Sequence, residues 1–155
     1  MEPAARARAA IEAAGLAFEV TEHGPVRSLA EVAAARGLTP DRVLKTIVVR
    51  RAEDDFLFVL VPGGRAISWP KLRGLLEVNR LSMPSADEAQ RVTGYVRGTI
   101  TPFGSFRALP VIADTAIPGG AVSVGGGAHG VAFTIDADEL IASLCARTAD
   151  VTDPE

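Results

Sequence analysis

The stretch that most restricts the fold is Phe56-Leu57-Phe58-Val59-Leu60-Val61, set between Asp54-Asp55 and Pro62-Gly63-Gly64. A strand with one wet face alternates apolar and polar residues, whereas an unbroken apolar run suits a central strand covered on both faces. Such a strand needs neighbours. The nearest is Leu44-Lys45-Thr46-Ile47-Val48-Val49, rich in β-branched residues and ended by Arg50 and Arg51. The polar turn from Ala52 to Asp55 folds one run back on the other. Lys45 then shares a strand face with Ile47 and Val49. If that face is core, its ammonium group needs a carboxylate, backbone carbonyls or an anionic ligand; the alternative is a strand-end lysine that snorkels to water.

Elsewhere helices and strands alternate irregularly. Residues 3 to 14 are Ala-rich and helical, with Gly15 as the stop. Leu16, Phe18 and Val20 alternate with polar residues as a half-buried strand. Ser28, Ser85 and Asp136 each stand three residues before a glutamate and open helices as capping boxes or caps. Short strands are expected at 78–83, 109–113, 121–124 and 131–135. The pattern favours an α+β or mixed-sheet α/β domain over a doubly wound one.

A chain of 155 residues fits one domain spanning 1–155, and its polar stretch 148–155 reads as a loose tail. No apolar run reaches the ~20 residues of a membrane span, and the N-terminus lacks the apolar centre of a signal peptide. The single cysteine, Cys145, excludes an internal disulfide and suits a reducing cytoplasm; on its expected helix it reads as a structural thiol. Two distant histidines and one cysteine give no zinc-binding spacing. The net charge of −3 argues against a general nucleic-acid coat protein, but it is unevenly spread. Residues 42–107 carry 11 Lys/Arg against 6 Asp/Glu, and the rest carries 5 against 13. A local basic face for an anionic partner and plain solvated surface both fit.

Two glycine-rich loops stand out. The first, Gly94 to Gly104, holds three glycines and a proline in eleven residues and is a shaped loop. The second, Gly125 to Gly130, has the letters of a dinucleotide fingerprint but precedes a strand. The phosphate of that motif needs a helix N-terminus. It is either a structural turn or a backbone cradle for a ligand. His23 and His129 lie in loops, each a general base or a surface residue. Trp69 and Tyr95 can stack on a base or fill core.

Three pieces occur in one order: Val43-Leu44-Lys45-Thr46-Ile47-Val48-Val49, Gly94-Tyr95-x-x-Gly98-x-x-x-Pro102-Phe103-Gly104, and Gly126-Gly127-x-x-Gly130. In these the chain resembles the YbaK/ProRS-associated, prolyl-tRNA-editing family along nearly its whole length. The resemblance implies a mixed, partly barrel-like sheet flanked by helices. It implies a free-standing aminoacyl-tRNA deacylase acting on mischarged tRNA, chiefly tRNA-Pro carrying Cys or Ala, with Ser added here. No metal or cofactor is implied. The partners would be the 3′ aminoacyl-adenosine end of tRNA and, secondarily, prolyl-tRNA synthetase, in the cytoplasm and with no membrane; the oligomeric state stays open.

The residues carried over are Lys45, Gly98 and Pro102 as catalytic, and Thr46, His23, Tyr95, Thr99, Ile100, Thr101, Gly126, Gly127, His129 and Gly130 as substrate-binding. Two departures leave the amino acid open. Cys-editing members carry Lys-Arg where Ala128-His129 stand, and Ala-editing members follow the lysine with Asn where Thr46 stands. An aminoacyl ester is already activated, so positioning water and stabilising an oxyanion can suffice without a strong nucleophile. Amides around Gly98 or Gly126-Gly127 are the expected oxyanion donors, and Lys45 would hold phosphate, ribose or ester oxygen. A non-catalytic module of the same fold, binding tRNA or a synthetase, is the other expectation.

Overall fold

The hairpin expected from the two apolar runs is the centre of the structure, a computed structural model that describes residues 1–155. Along the chain lie α1 (Pro3–Ala13), β1 (Glu19–Glu22), α2 (Leu29–Arg36), a 3₁₀ turn (Pro40–Arg42), β2 (Leu44–Ala52), β3 (Asp55–Pro62), β4 (Arg65–Ile67) and α3 (Trp69–Leu76). Then follow α4 (Ala86–Thr93), β5 (Val111–Asp114), β6 (Ala121–Gly125), β7 (Val131–Asp136), α5 (Ala137–Ser143), β8 (Arg147–Ala149) and β9 (Thr152–Pro154).

β2 and β3 pair antiparallel, with Leu44 opposite Pro62 and Val49 opposite Leu57. β3 also pairs in parallel with β5, and β5 with β8, giving a mixed sheet in the order β2-β3-β5-β8. A second, antiparallel sheet runs β1-β7-β6. The two meet at one parallel bridge, Val43 to Ser123, with no closed ring of strands. The apolar run of β3 serves two cores at once. Phe58 and Leu60 join the larger cluster with Ile11 of α1, Val92 of α4, Phe133 of β7 and Leu140 of α5. Leu57, Val59 and Val61 join the smaller one with Leu72 of α3 and Val151. This is the mixed α/β domain expected, with helices packed on both larger sheets.

The caps behave as their residues dictate. Ser28, Ser85 and Asp136 accept hydrogen bonds from the amides of Glu31, Glu88 and Glu139, each interaction contributing about 1 kcal/mol. Gly37 and Gly94 end α2 and α4 in the left-handed conformation. No helix is long and apolar enough to cross a membrane.

Residues 148–155 do not form the loose tail expected. β8 extends the four-stranded sheet, and β9 pairs antiparallel with β4, Ile67 lying opposite Thr152. Val151 and Thr152 are fully buried. The aspartates that made the stretch look solvated are cross-chain partners. Lys71 Nζ lies 3.0 Å from Asp150 and 2.9 Å from Asp153. Two smaller differences also appear. Segment 78–83 forms only an isolated bridge, Ser82 to Arg50, and the first strand begins at Glu19. Leu16 and Phe18 pack on the larger core without joining that strand.

Candidate active site

A cleft of about 420 Å³ opens between α2, β2 and the start of α4, with Gly98 and Ile100 of the first glycine loop in its lining. The volume lies within the roughly 300–1,000 Å³ of small-molecule sites. One wall is Leu29, Val32 and Arg36, three and four residues apart and so on one face of α2. The opposite wall is Val43 with β2 from Leu44 to Val48, and Met83 and Pro84 form a lip.

The lining is mostly apolar, so its few polar groups are conspicuous. Strand alternation turns Thr46 to the side of Leu44 and Val48, and its buried Oγ1 has no hydrogen-bond partner. An unpaired buried hydroxyl costs about 1–3 kcal/mol, which a ligand atom in the cleft would recover. Arg36 donates from Nη1 to Ser123 Oγ at 2.7 Å, while its buried Nε is unpartnered. Burial lowers the pKa of Arg36, yet a guanidinium stays protonated, and no carboxylate pairs with it. Arg97 stands exposed at the edge. Lys45 is also at the rim, its side chain 43% exposed, donating to the Arg65 carbonyl at 3.1 Å and to Glu155 Oε1 at 3.2 Å. The ammonium group thus finds a carbonyl and a carboxylate, but in contact with water.

Gly98 has a φ of +88°, and a Cβ there would lie 3.6 Å from His129 Cε1. His129, exposed at the tip of the second loop, therefore borders the lining of the cleft. The Gly98 amide makes no backbone hydrogen bond and is available to a ligand. The second loop differs. Gly126 donates to the Val131 carbonyl at 2.8 Å and Gly127 to the Thr99 carbonyl at 3.2 Å. Both amides are consumed, so the oxyanion role expected for Gly126-Gly127 is not open to them.

The structure gathers Lys45, Thr46, Gly98 and Ile100 at the cleft and sets His129 beside it. The other expected residues lie outside its lining. Tyr95 is fully buried and donates to the Phe103 carbonyl at 2.6 Å, leaving no ring face for a base. Burial raises its pKa, partly opposed by Arg6. Thr99 and Thr101 are buried; Thr99 Oγ1 donates to the Val96 carbonyl at 2.7 Å. Pro102 is half-buried in the loop behind them. Gly126, Gly127 and Gly130 pack against Val131, Pro3 with Tyr95, and His23 respectively. His23 bonds to Gly130 through its backbone, and Nδ1 donates to the Gly24 carbonyl at 2.9 Å. These residues shape the loops; they do not touch the cleft. Arg36, Arg97 and the α4 start were not anticipated. The Leu29, Val32, Arg36 spacing was the available signal.

The family model for the aminoacyl-tRNA editing domain matches residues 23–142. The chain belongs to the aminoacyl-tRNA editing domain family. Hydrolase chemistry on mischarged tRNA holds at the level of this family. A solved structure described as a candidate trans-editing enzyme for prolyl-tRNA synthetase superposes with a TM-score of 0.90 at 26% identity, covering 99% of this chain and 98% of that one. A candidate Cys-tRNA(Pro)/Cys-tRNA(Cys) deacylase of Enterococcus faecalis is 23% identical over 129 residues, 83% of this chain and 79% of that protein. The proline–tRNA ligase of Bacillus licheniformis is 31% identical over 96 residues, 61% of this chain. The editing-domain chain spans only 17% of that ligase's length.

Proposed function

We propose that the cleft hydrolyses the aminoacyl ester of mischarged tRNA in trans, with tRNA-Pro carrying Cys, Ala or Ser as the substrates. The observation that carries this reading is the meeting of an unpartnered Thr46 hydroxyl and a free Gly98 amide in one apolar cleft, with Lys45 at its mouth. The Gly98 N–H would donate to the ester carbonyl oxygen as it gains charge. Thr46 would hold the substrate amino group, a ribose hydroxyl or the attacking water. Water adds to the carbonyl carbon, the bond to the ribose oxygen breaks, and the ribose oxygen takes up a proton. Lys45, exposed at the rim, suits the terminal phosphate or ribose better than the ester. The apolar lining supports small side chains, and a single methylene discriminates by only roughly 1–3 kcal/mol, so sparing of Pro-tRNA-Pro would come from excluding its ring.

The test is single-turnover hydrolysis of tRNA-Pro charged in turn with Cys, Ala, Ser and Pro, by wild type and by Lys45→Ala. Hydrolysis of at least one of the first three, sparing of Pro, and a loss of about 100-fold or more in a folded variant are expected. Equal cleavage of Pro-tRNA-Pro, or full activity in Lys45→Ala, would overturn the reading.

A further inference from the structure

Beyond the cleft, β2 continues into a second recess that no part of the proposed chemistry uses. Its nine lining residues are Arg50 to Glu53, Arg73 and Asn79 to Ser82, four of them arginine and one acidic. Arg51 is engaged by Asp55, with Nε to Oδ2 at 3.0 Å. Arg50, Arg73 and Arg80 pair with no carboxylate. In a chain of net charge −3 such a concentration of unpaired cations is a local reversal of sign. The recess has fixed walls: Arg50 donates to the Ser82 carbonyl at 2.7 Å, and Ser82 donates back at 3.0 Å.

Its position relative to the cleft gives it meaning. On β2 the cleft ends at Val48 and the recess begins at Arg50; on the other side the cleft ends at Met83 and the recess begins at Ser82. The two recesses therefore follow one another along both segments, the apolar one first and the basic one after it. Thr46 and Arg50 are four residues apart, on one strand face and roughly 13 Å from each other along an extended strand. A polyanion whose terminal group lies in the apolar cleft beside Arg97 would next meet Arg50, Arg73 and Arg80.

We propose that this basic recess is the docking surface for the RNA phosphate backbone adjoining the aminoacylated 3′ end, contacting phosphates through Arg50, Arg73 and Arg80. It rests on the deacylase reading for what lies in the cleft, but its own evidence is charge and adjacency. Arginine suits the role because its planar fork meets phosphate oxygens in pairs. Contacts of this kind fix position and affinity without reading sequence.

The experiment uses the full chain with Arg50→Gln, Arg73→Gln and Arg80→Gln combined, and the matching triple Lys variant. Affinity for uncharged tRNA is measured across a salt series. Hydrolysis is compared between full-length mischarged tRNA and a short oligonucleotide carrying only the aminoacylated 3′ end. The Gln variant should bind tRNA at least about tenfold more weakly, with a log–log salt slope shallower by about 2, since each lost phosphate contact removes about 0.7–0.9. It should lose kcat/KM on full-length tRNA through KM and keep wild-type rates on the short substrate, and the Lys variant should recover most of the loss. An unchanged salt slope, or equal losses on both substrates, would overturn the proposal. If wild type hydrolyses neither substrate, the deacylase reading fails, and the salt slope still decides the docking surface.

Discussion

The two glycine-rich loops are alike in composition, and Gly98 of the first differs in use from the glycines of the second. In the first, Gly98 adopts a positive φ in open space, keeps a free amide and faces the cleft. In the second, as at Gly94 and Gly104 of the first, the glycines are demanded by crowding. A Cβ on Gly127 would come 2.8 Å from the Pro3 carbonyl oxygen and 3.0 Å from Tyr95 Cε1, and one on Gly126 would come 2.6 Å from Val131 Cγ1. The lesson is that a glycine cluster signals close backbone approach without saying to what. The second loop approaches the rest of its own chain, and by bonding Gly127 to Thr99 it holds the first loop in place for a ligand.

Four substitutions test this contrast. Gly127→Ala should destabilise by about 3 kcal/mol, combining left-handed strain with overpacking, and lower Tm by about 10 °C. Thermal unfolding checks this, and a change under about 1 kcal/mol would mean that the second loop is not packed as described. Gly98→Ala should do the reverse: stability falls by only about 1 kcal/mol, while kcat/KM drops about 100-fold, or roughly 2.7 kcal/mol of barrier, because the methyl group enters the cleft. Parallel melting and kinetics on this variant would show whether the loops truly differ.

Tyr95→Phe comes next, because the phenol ties the two ends of the first loop together through the Phe103 carbonyl. Loss of that buried bond should cost about 1–2 kcal/mol in denaturant titrations. Burial raises the folded-state pKa, so the phenol's contribution is complete below about pH 10, the usual tyrosine value, and is lost as pH climbs through the raised one. The wild-type advantage over Phe should therefore vanish only in strong alkali. The smallest effect is expected from His129→Ala. Its ring only borders Gly98, so rates should fall several-fold or the order among Ala-, Ser- and Cys-charged tRNA should shift. Identical rates and order would make His129 a plain surface residue.

Local signals in the chain were readable. The central hairpin follows from the apolar runs at 44–49 and 56–61, and the caps at Ser28, Ser85 and Asp136 follow from residue type and spacing. Lys45, Thr46 and Gly98, singled out from two separate stretches, line one cleft. What escaped depends on contacts distant in sequence. Asp150 and Asp153 look like solvated charge until Lys71 is brought to them, and Thr152 looks exposed until Ile67 pairs with it. Arg36 reads as an ordinary helix-end cation until Ser123 approaches from a strand near the other end of the chain. Tyr95 has a composition that fits stacking, and only packing shows that both of its faces are covered.

The ladder between β4 and β9 has a temporal consequence. Val20 must find Phe133, Ile67 must find Thr152, and Val151 must reach Leu57 and Leu72 before either core is complete. Closing such distant contacts loses chain entropy before the packing compensates for it, which slows folding relative to a fold of local contacts. Until β9 seats, Lys45 has neither the Glu155 carboxylate nor a fixed Arg65 carbonyl beside it. The surroundings of Lys45 are therefore complete only once β9 has paired with β4, so a residue near the start of β2 depends on the last strand of the chain.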